Sequence, residues 1–180
     1  MLVRWRGLSR SLLVGLLLSL TVPFLSVAAQ EATPATSEAA CLPGPAEENK
    51  GLVERYWAEV WTAGGEAAVA DILAPDEIHH WGVGGDTVGH EPFIERLTTF
   101  LTAFPDLAFE VDLLVAEDDL VVSSWTATGT QEGEWMGIPA TGTAVEYTGV
   151  NFFRIACGQI VESWGEADHL SLLRQLGGEP

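Results

Sequence analysis

Tyr147–Leu176, YTGVNFFRIACGQIVESWGEADHLSLLRQL, decides the fold. Two apolar–polar alternating runs flank Cys157-Gly158, a pair suited to a tight turn, so Ala144–Ala156 and Gln159–Trp164 read as a β-hairpin. The period then changes, and His169–Leu176 reads as a short helix with Asp168 near its N-cap. A carboxylate thus sits where strand gives way to helix, beside Trp164, Glu166 and His169. Desolvation against tryptophan raises a carboxyl group's proton affinity, which makes Asp168 a candidate general base or acid. The structural alternative is an N-cap aspartate accepting a backbone N–H.

Upstream, the pattern is helical first and strand-like afterwards. Glu47–Ala63 carries Val53, Tyr56, Trp57, Val60 and Trp61 on one helical face and stops at Gly64-Gly65. Glu66–Leu73 is a second short helix, and Ile78–Trp81 is a short extended segment. A glycine loop follows, then a third helix over Glu91–Phe104 with Pro92 in its first turn. Leu107–Ala116 and Leu120–Gln131 alternate as strands, and Gly133–Thr143 is a loop. Helices followed by antiparallel strands predict an α+β fold. To bury these aromatics, the antiparallel sheet must curve around the N-terminal helices as an open-mouthed cone that holds a deep, mostly apolar pocket.

The N-terminus differs in kind. Arg4, Arg6 and Arg10 precede the apolar run Ser11–Val27, and Val27-Ala28-Ala29 supplies small residues. Residues 1–29 read as a secretory signal peptide cleaved after Ala29, which predicts a secreted or cell-envelope protein. An uncleaved membrane anchor is the competing reading. Residues 30–46, rich in Ala, Thr, Ser, Pro and Glu, read as a disordered linker, leaving 47–177 as one domain.

The whole chain has a formal net charge of −18. Loss of the signal leaves five basic residues against 26 acidic ones, a net charge of −21. Such a surface repels phosphate backbones, so no nucleic-acid partner is expected. Cys41 and Cys157 are the two cysteines, and in an oxidising compartment they are candidates for a disulfide. They match no zinc-ligand spacing, and a grouping of His79, His80, His90 and Asp86 matches none either, so no metal site is expected.

The residues for a pocket are largely aromatic. Trp57, Trp61, Trp81, Trp125 and Trp164 are candidates for a wall that excludes water and orients a planar ligand. Asn151 is a polar residue in an apolar strand and a candidate hydrogen-bond donor to a ligand carbonyl. His79 and His80 are adjacent in an extended segment, so they point to opposite faces and only one meets the pocket. Their parity does not decide which. Arg154 and Glu162 sit on paired strands and suit a cross-strand ion pair.

Several strings, in order, resemble the SnoaL-like polyketide cyclase (ester cyclase) family, within the cystatin-like cone fold of nuclear transport factor two. They are LVERYWAEVW and ADILAPD within Leu52–Asp76, FPDLAFEVD at Phe104–Asp112, WTATGTQEGEWMGIPATG at Trp125–Gly142, and GQIVESWGEADHLSLLRQLG at Gly158–Gly177. The resemblance implies aldol-type ring closure of a small hydrophobic poly-carbonyl ligand, without metal or organic cofactor. It places the acid–base role on Asp168 in the pattern Glu162, Trp164, Asp168, and favours His80 as the supporting histidine. It also implies a homodimer through the open sheet face. An exported copy meets a different substrate from one beside a cytoplasmic synthase. A non-catalytic carrier of a small hydrophobe, or an isomerase or hydrolase on the same fold, are therefore the alternatives.

Overall fold

The computed structural model describes residues 44–81 and 85–178. The signal-peptide and linker readings fall almost wholly outside them, as does Cys41. The chain divides into two units, Met1–Ser37 and Glu38–Pro180, and the description below concerns the second alone.

Helix α1 (Ala46–Arg55) runs directly into a π-helical segment, Tyr56–Thr62. The expected single helix is therefore continuous but widens in its second half. Tyr56, Trp57, Val60 and Trp61 are paired four residues apart, and both windings bury them. Gly65 then ends the segment, where a Cβ would press on the Glu59 carbonyl at 2.6 Å. Helix α2 (Glu66–Ile72) passes straight into strand β1 (Leu73–Trp81), and β2 (Thr87–Val88) precedes helix α3 (His90–Ala103). Strands β3 (Ala108–Glu117), β4 (Leu120–Thr130), β5 (Ala144–Ala156) and β6 (Gln159–Ala167) follow, and helix α4 (His169–Gln175) closes the chain.

The sheet order is β2-β1-β6-β5-β4-β3. From β3 to β6 every pair is antiparallel, as the alternation predicts. The expectation of an all-antiparallel sheet fails at one place: β1 lies parallel to β6, with His79 opposite Ser163 and His80 opposite Trp164. The register shifts between Leu73 and Ile78, around Pro75, whose missing N–H cannot join a ladder. The β5–β6 turn has Cys157 and Gly158 both at positive φ (55° and 74°), the geometry that matches hairpin twist.

Inward side chains of the sheet and the apolar faces of α1, the π-segment and α3 form one core. Its aromatics interlock: Trp57 stacks on Phe109 at 4.8 Å, and Trp125 meets Trp57 at 5.5 Å and Tyr147 edge-on at 5.7 Å. Gly149 makes this arrangement fit, because the Trp125 ring lies where its Cβ would be. On the outer face, register aligns Val115, Val122, Phe152, Trp164 and His80 in a row across five strands.

Candidate active site

The cone is largely filled. Among the described residues, the void between Trp57, Trp61, Trp125, Tyr147, Asn151 and His169 measures only about 20 Å³, room for roughly one water. The deep apolar pocket expected inside the cone is thus occupied by the tryptophans that were to line it. Ligand-sized space lies at the mouth instead. A cleft of about 390 Å³ opens between Trp81, Arg96, Phe100, Trp135, Met136 and His169. Trp81, Phe100 and His169 border both spaces.

Each wall of this cleft is fixed by its element. Phe100, on the buried face of α3, packs on Trp135 at 4.3 Å between ring centres. Trp135 lies in the loop after β4, which is folded around the fully buried Gln131. The Gln131 amide donates to the Ile138 carbonyl (3.0 Å) and its oxygen accepts from the Thr141 hydroxyl (2.6 Å). Arg96, one turn before Phe100, lays its guanidinium 4.2 Å from the Trp81 ring centre, a cation–π contact. Sequence reasoning missed Arg96, Trp135 and Gln131. Arg96 had a visible signal as one of five cations outside the N-terminal leader.

Strand pairing settles the histidines. His79 points inward and is fully buried, stacked on Trp81 at 4.1 Å. Its Nδ1 lies 2.7 Å from the Ser163 hydroxyl, which donates to Glu77 at 2.6 Å. Burial drives the His79 pKa down, against the pull of Glu77, so the ring is neutral. His80, the histidine favoured for the pocket, points to the outer face. There it contacts Glu162 (3.0 Å) and Asp86 (3.1 Å) and stacks on Trp164 at 5.3 Å. The hydrogen bond to Glu162 leads in raising its pKa. Trp164 lies on the same outer face, so neither residue lines the cleft, because the inward positions of β1 and β6 belong to His79 and Ser163. Arg154 joins Glu162 at 3.1 Å, the expected cross-strand pair, and Asp119 at 2.7 Å.

Trp57, Trp61 and Trp125 do face inward, and two are tied by hydrogen bonds. Trp57 Nε1 donates to Ser123 (3.1 Å) and Trp125 Nε1 to Asn151 (2.8 Å). Asn151 borders the inner void, where its side-chain oxygen accepts from the Trp125 indole. Asp168 is exposed, and its carboxylate accepts from the Ser171 N–H at 2.8 Å as the N-cap of α4. The next residue, His169, is the titratable one of the three residues that line both the cleft and the void. Burial lowers the His169 pKa; Glu166 and Asp168 oppose this and Arg96 reinforces it. His90 is committed elsewhere, with Nε2 donating to the Leu73 carbonyl at 3.0 Å.

A family model for SnoaL-like polyketide cyclases matches residues 51–176. The chain belongs to the SnoaL-like polyketide cyclase family. Solved structures of similar proteins share its fold. IdmH from Streptomyces antibioticus, described as a candidate polyketide cyclase, is 31% identical, covering 72% of this chain and 98% of its own, with a TM-score of 0.65. AclR from Streptomyces galilaeus, described as a candidate hydroxylase, is 31% identical over 76% of this chain and 85% of its own, TM-score 0.68. A SnoaL-like candidate cyclase from a Jannaschia species is 26% identical over 76% and 97%, TM-score 0.70. No curated protein sequence matches the chain. As a SnoaL-like protein, it has the expected α+β cone, with a cleft at the mouth.

Proposed function

We propose that this SnoaL-like protein closes a ring in a small poly-carbonyl compound by cofactor-independent acid–base chemistry, with His169 as the base. One observation carries the assignment: His169 is the titratable side chain bordering both the mouth cleft and the inner void, and burial keeps it neutral and able to accept a proton. The step balances without redox change. His169 takes a proton from a carbon flanked by two carbonyls. The enolate carbon bonds to a third carbonyl carbon, and the alkoxide formed takes the proton back from the imidazolium. The aromatic cleft holds the chain folded for attack and keeps water from the enolate. Asp168 fixes the start of α4 and so orients His169, and its charge supports the ring's basicity. On the signal-peptide reading, the reaction takes place outside the cytoplasm.

Turnover of a poly-β-ketone panel by wild type, His169→Asn and Asp168→Asn tests this. The expected result is a loss of kcat of ~10²-fold or more for His169→Asn, in the range of a lost general base. Asp168→Asn keeps the cap and loses less. The reverse ranking returns the acid–base role to Asp168, as the family resemblance implies. Binding without turnover in wild type makes the protein a carrier.

A further inference from the structure

We propose that the mouth cleft recognises an anionic ligand, a poly-carbonyl compound bearing a carboxylate, through the guanidinium of Arg96 held on Trp81. The inference rests on the same cleft as the cyclase reading but not on its chemistry.

The use of cations across the domain points to it. In a chain with 26 acidic residues, a cation finds a carboxylate easily. Lys50 pairs with Glu47, Arg55 with Glu59, and Arg154 with Asp119 and Glu162. Arg174 is exposed in the last turn of α4, where a cation suits the helix dipole. Arg96 differs from all of these. It is half-buried in the cleft wall and makes no ion pair among the described residues, although Glu95 beside it also borders the cleft. Desolvation, its leading perturbation, draws its pKa down. A desolvated, unpaired guanidinium is costly unless an anion completes it.

The geometry suits a carboxylate. The Arg96 guanidinium carbon lies over the Trp81 ring, 4.2 Å from its centre, and a guanidinium stacked on an aromatic face keeps its N–H edge for two parallel hydrogen bonds. The side chains of Trp81 and Trp135 also border the cleft. The indole N–H groups of Trp81 and Trp135 are buried with no acceptor among the described residues. Buried donors without partners favour a ligand rich in oxygen acceptors. The rest of the wall is apolar, which suits the flat body of such a molecule. The negative net charge opposes anions at long range. Within the cleft, Arg96 acts at contact distance, and salt screens the distant field beyond roughly 8 Å.

The test uses 2-naphthoate and its neutral methyl ester, with binding followed by calorimetry and by quenching of tryptophan fluorescence. Wild type is expected to bind naphthoate at least ~10-fold more tightly than the ester, with an affinity that falls as salt rises. Arg96→Gln should cost naphthoate about 10- to 100-fold and leave the ester nearly unchanged, the range for a hydrogen bond to a charged group. Arg96→Lys, which keeps the charge but loses the fork, should fall between. If Arg96→Gln does not fold, the acid–ester comparison in wild type decides alone. Equal binding of acid and ester, no binding of naphthoate, or an unchanged affinity in folded Arg96→Gln overturns the proposal. Naphthoate binding through Arg96 without turnover of any poly-ketone removes the cyclase reading and leaves this one standing. Turnover of neutral poly-ketones without a preference for acids does the opposite.

Discussion

At the scale of single residues, the least expected feature is the buried chain Glu77–Ser163–His79. The Ser163 hydroxyl has one proton, and it goes to Glu77, so the Ser163 oxygen accepts from His79 Nδ1–H. The lone pair is then on Nε2, which has no partner among the described residues. Sequence alone left His79 and His80 unresolved because alternation gives parity and not direction. The parallel register with β6 supplies the direction, by setting His79 opposite Ser163. The arrangement predicts a pH effect of known sign. The folded-state pKa of His79 lies below its unfolded value of about 6.5, so the unfolded state binds the proton first. Stability is therefore full above about pH 6.5 and falls as pH drops from there toward the lowered folded pKa. His169 adds in the same direction, while His80, with a raised pKa, acts oppositely from a partly buried position. Urea midpoints of wild type and His79→Gln, measured from about pH 7.5 to 5.5, isolate the contribution. Wild type should lose more stability than the variant across that range, and parallel pH profiles would exclude His79 as the source.

At the scale of elements, the hairpin and closing helix were legible from three signals: alternation in both strands, a glycine in the turn between them, and a capping residue at the helix start. Strand β1 was only half legible. LAPDEIHHW contains a proline and four charged residues or histidines flanking Ile78, so local pattern identifies the stretch Ile78–Trp81 and nothing before it. Its length and parallel pairing come from β6 beside it. The site suffered accordingly: Trp57, Trp61, Trp125 and Asn151 lie on elements whose inner face was readable, whereas His80 and Trp164 lie on the pair whose orientation was not. For α4, the structure gives Asp168 a separable structural role. Asn caps helices as well as Asp does, and Ala does not. Asp168→Ala should therefore lose about 1 kcal/mol in chemical denaturation, and Asp168→Asn should stay within a few tenths of wild type. Gln175 also ties α4 to β5 through both backbone groups of Glu146, so the helix persists when the cap is removed. Equal destabilisation by both substitutions would mean that the carboxylate's charge, and not its capping geometry, holds the helix.

At the scale of the whole molecule, the ordered strings made the family and the cone legible, but not how full the cone is. Counting tryptophans identifies the material of a pocket wall. Whether those rings line a space or occupy it depends on local packing such as that at Gly149, which lets Trp125 settle against β5. The same limit applies to the link between the domain and the segment before it. Cys157, at the β5–β6 turn, is disulfide-bonded, and the sequence holds one other cysteine, Cys41, outside the described residues. A bridge between them would close a loop spanning almost the whole domain. Its expected worth is roughly 4 kcal/mol in the chain-entropy account, or on the order of 10 °C in melting temperature for a chain of this size. The core itself consists of residues between Leu52 and Leu176, so it does not need the bridge to form. Reduction should add the mass of two protons to the intact protein and lower its melting temperature, while leaving a cooperative transition and the near-ultraviolet signal of the packed tryptophans. Cys157→Ser should reproduce the shift without reductant. An unchanged mass on reduction would exclude an intramolecular bridge, and loss of the cooperative transition would show that the aromatic core does not hold the cone closed without it.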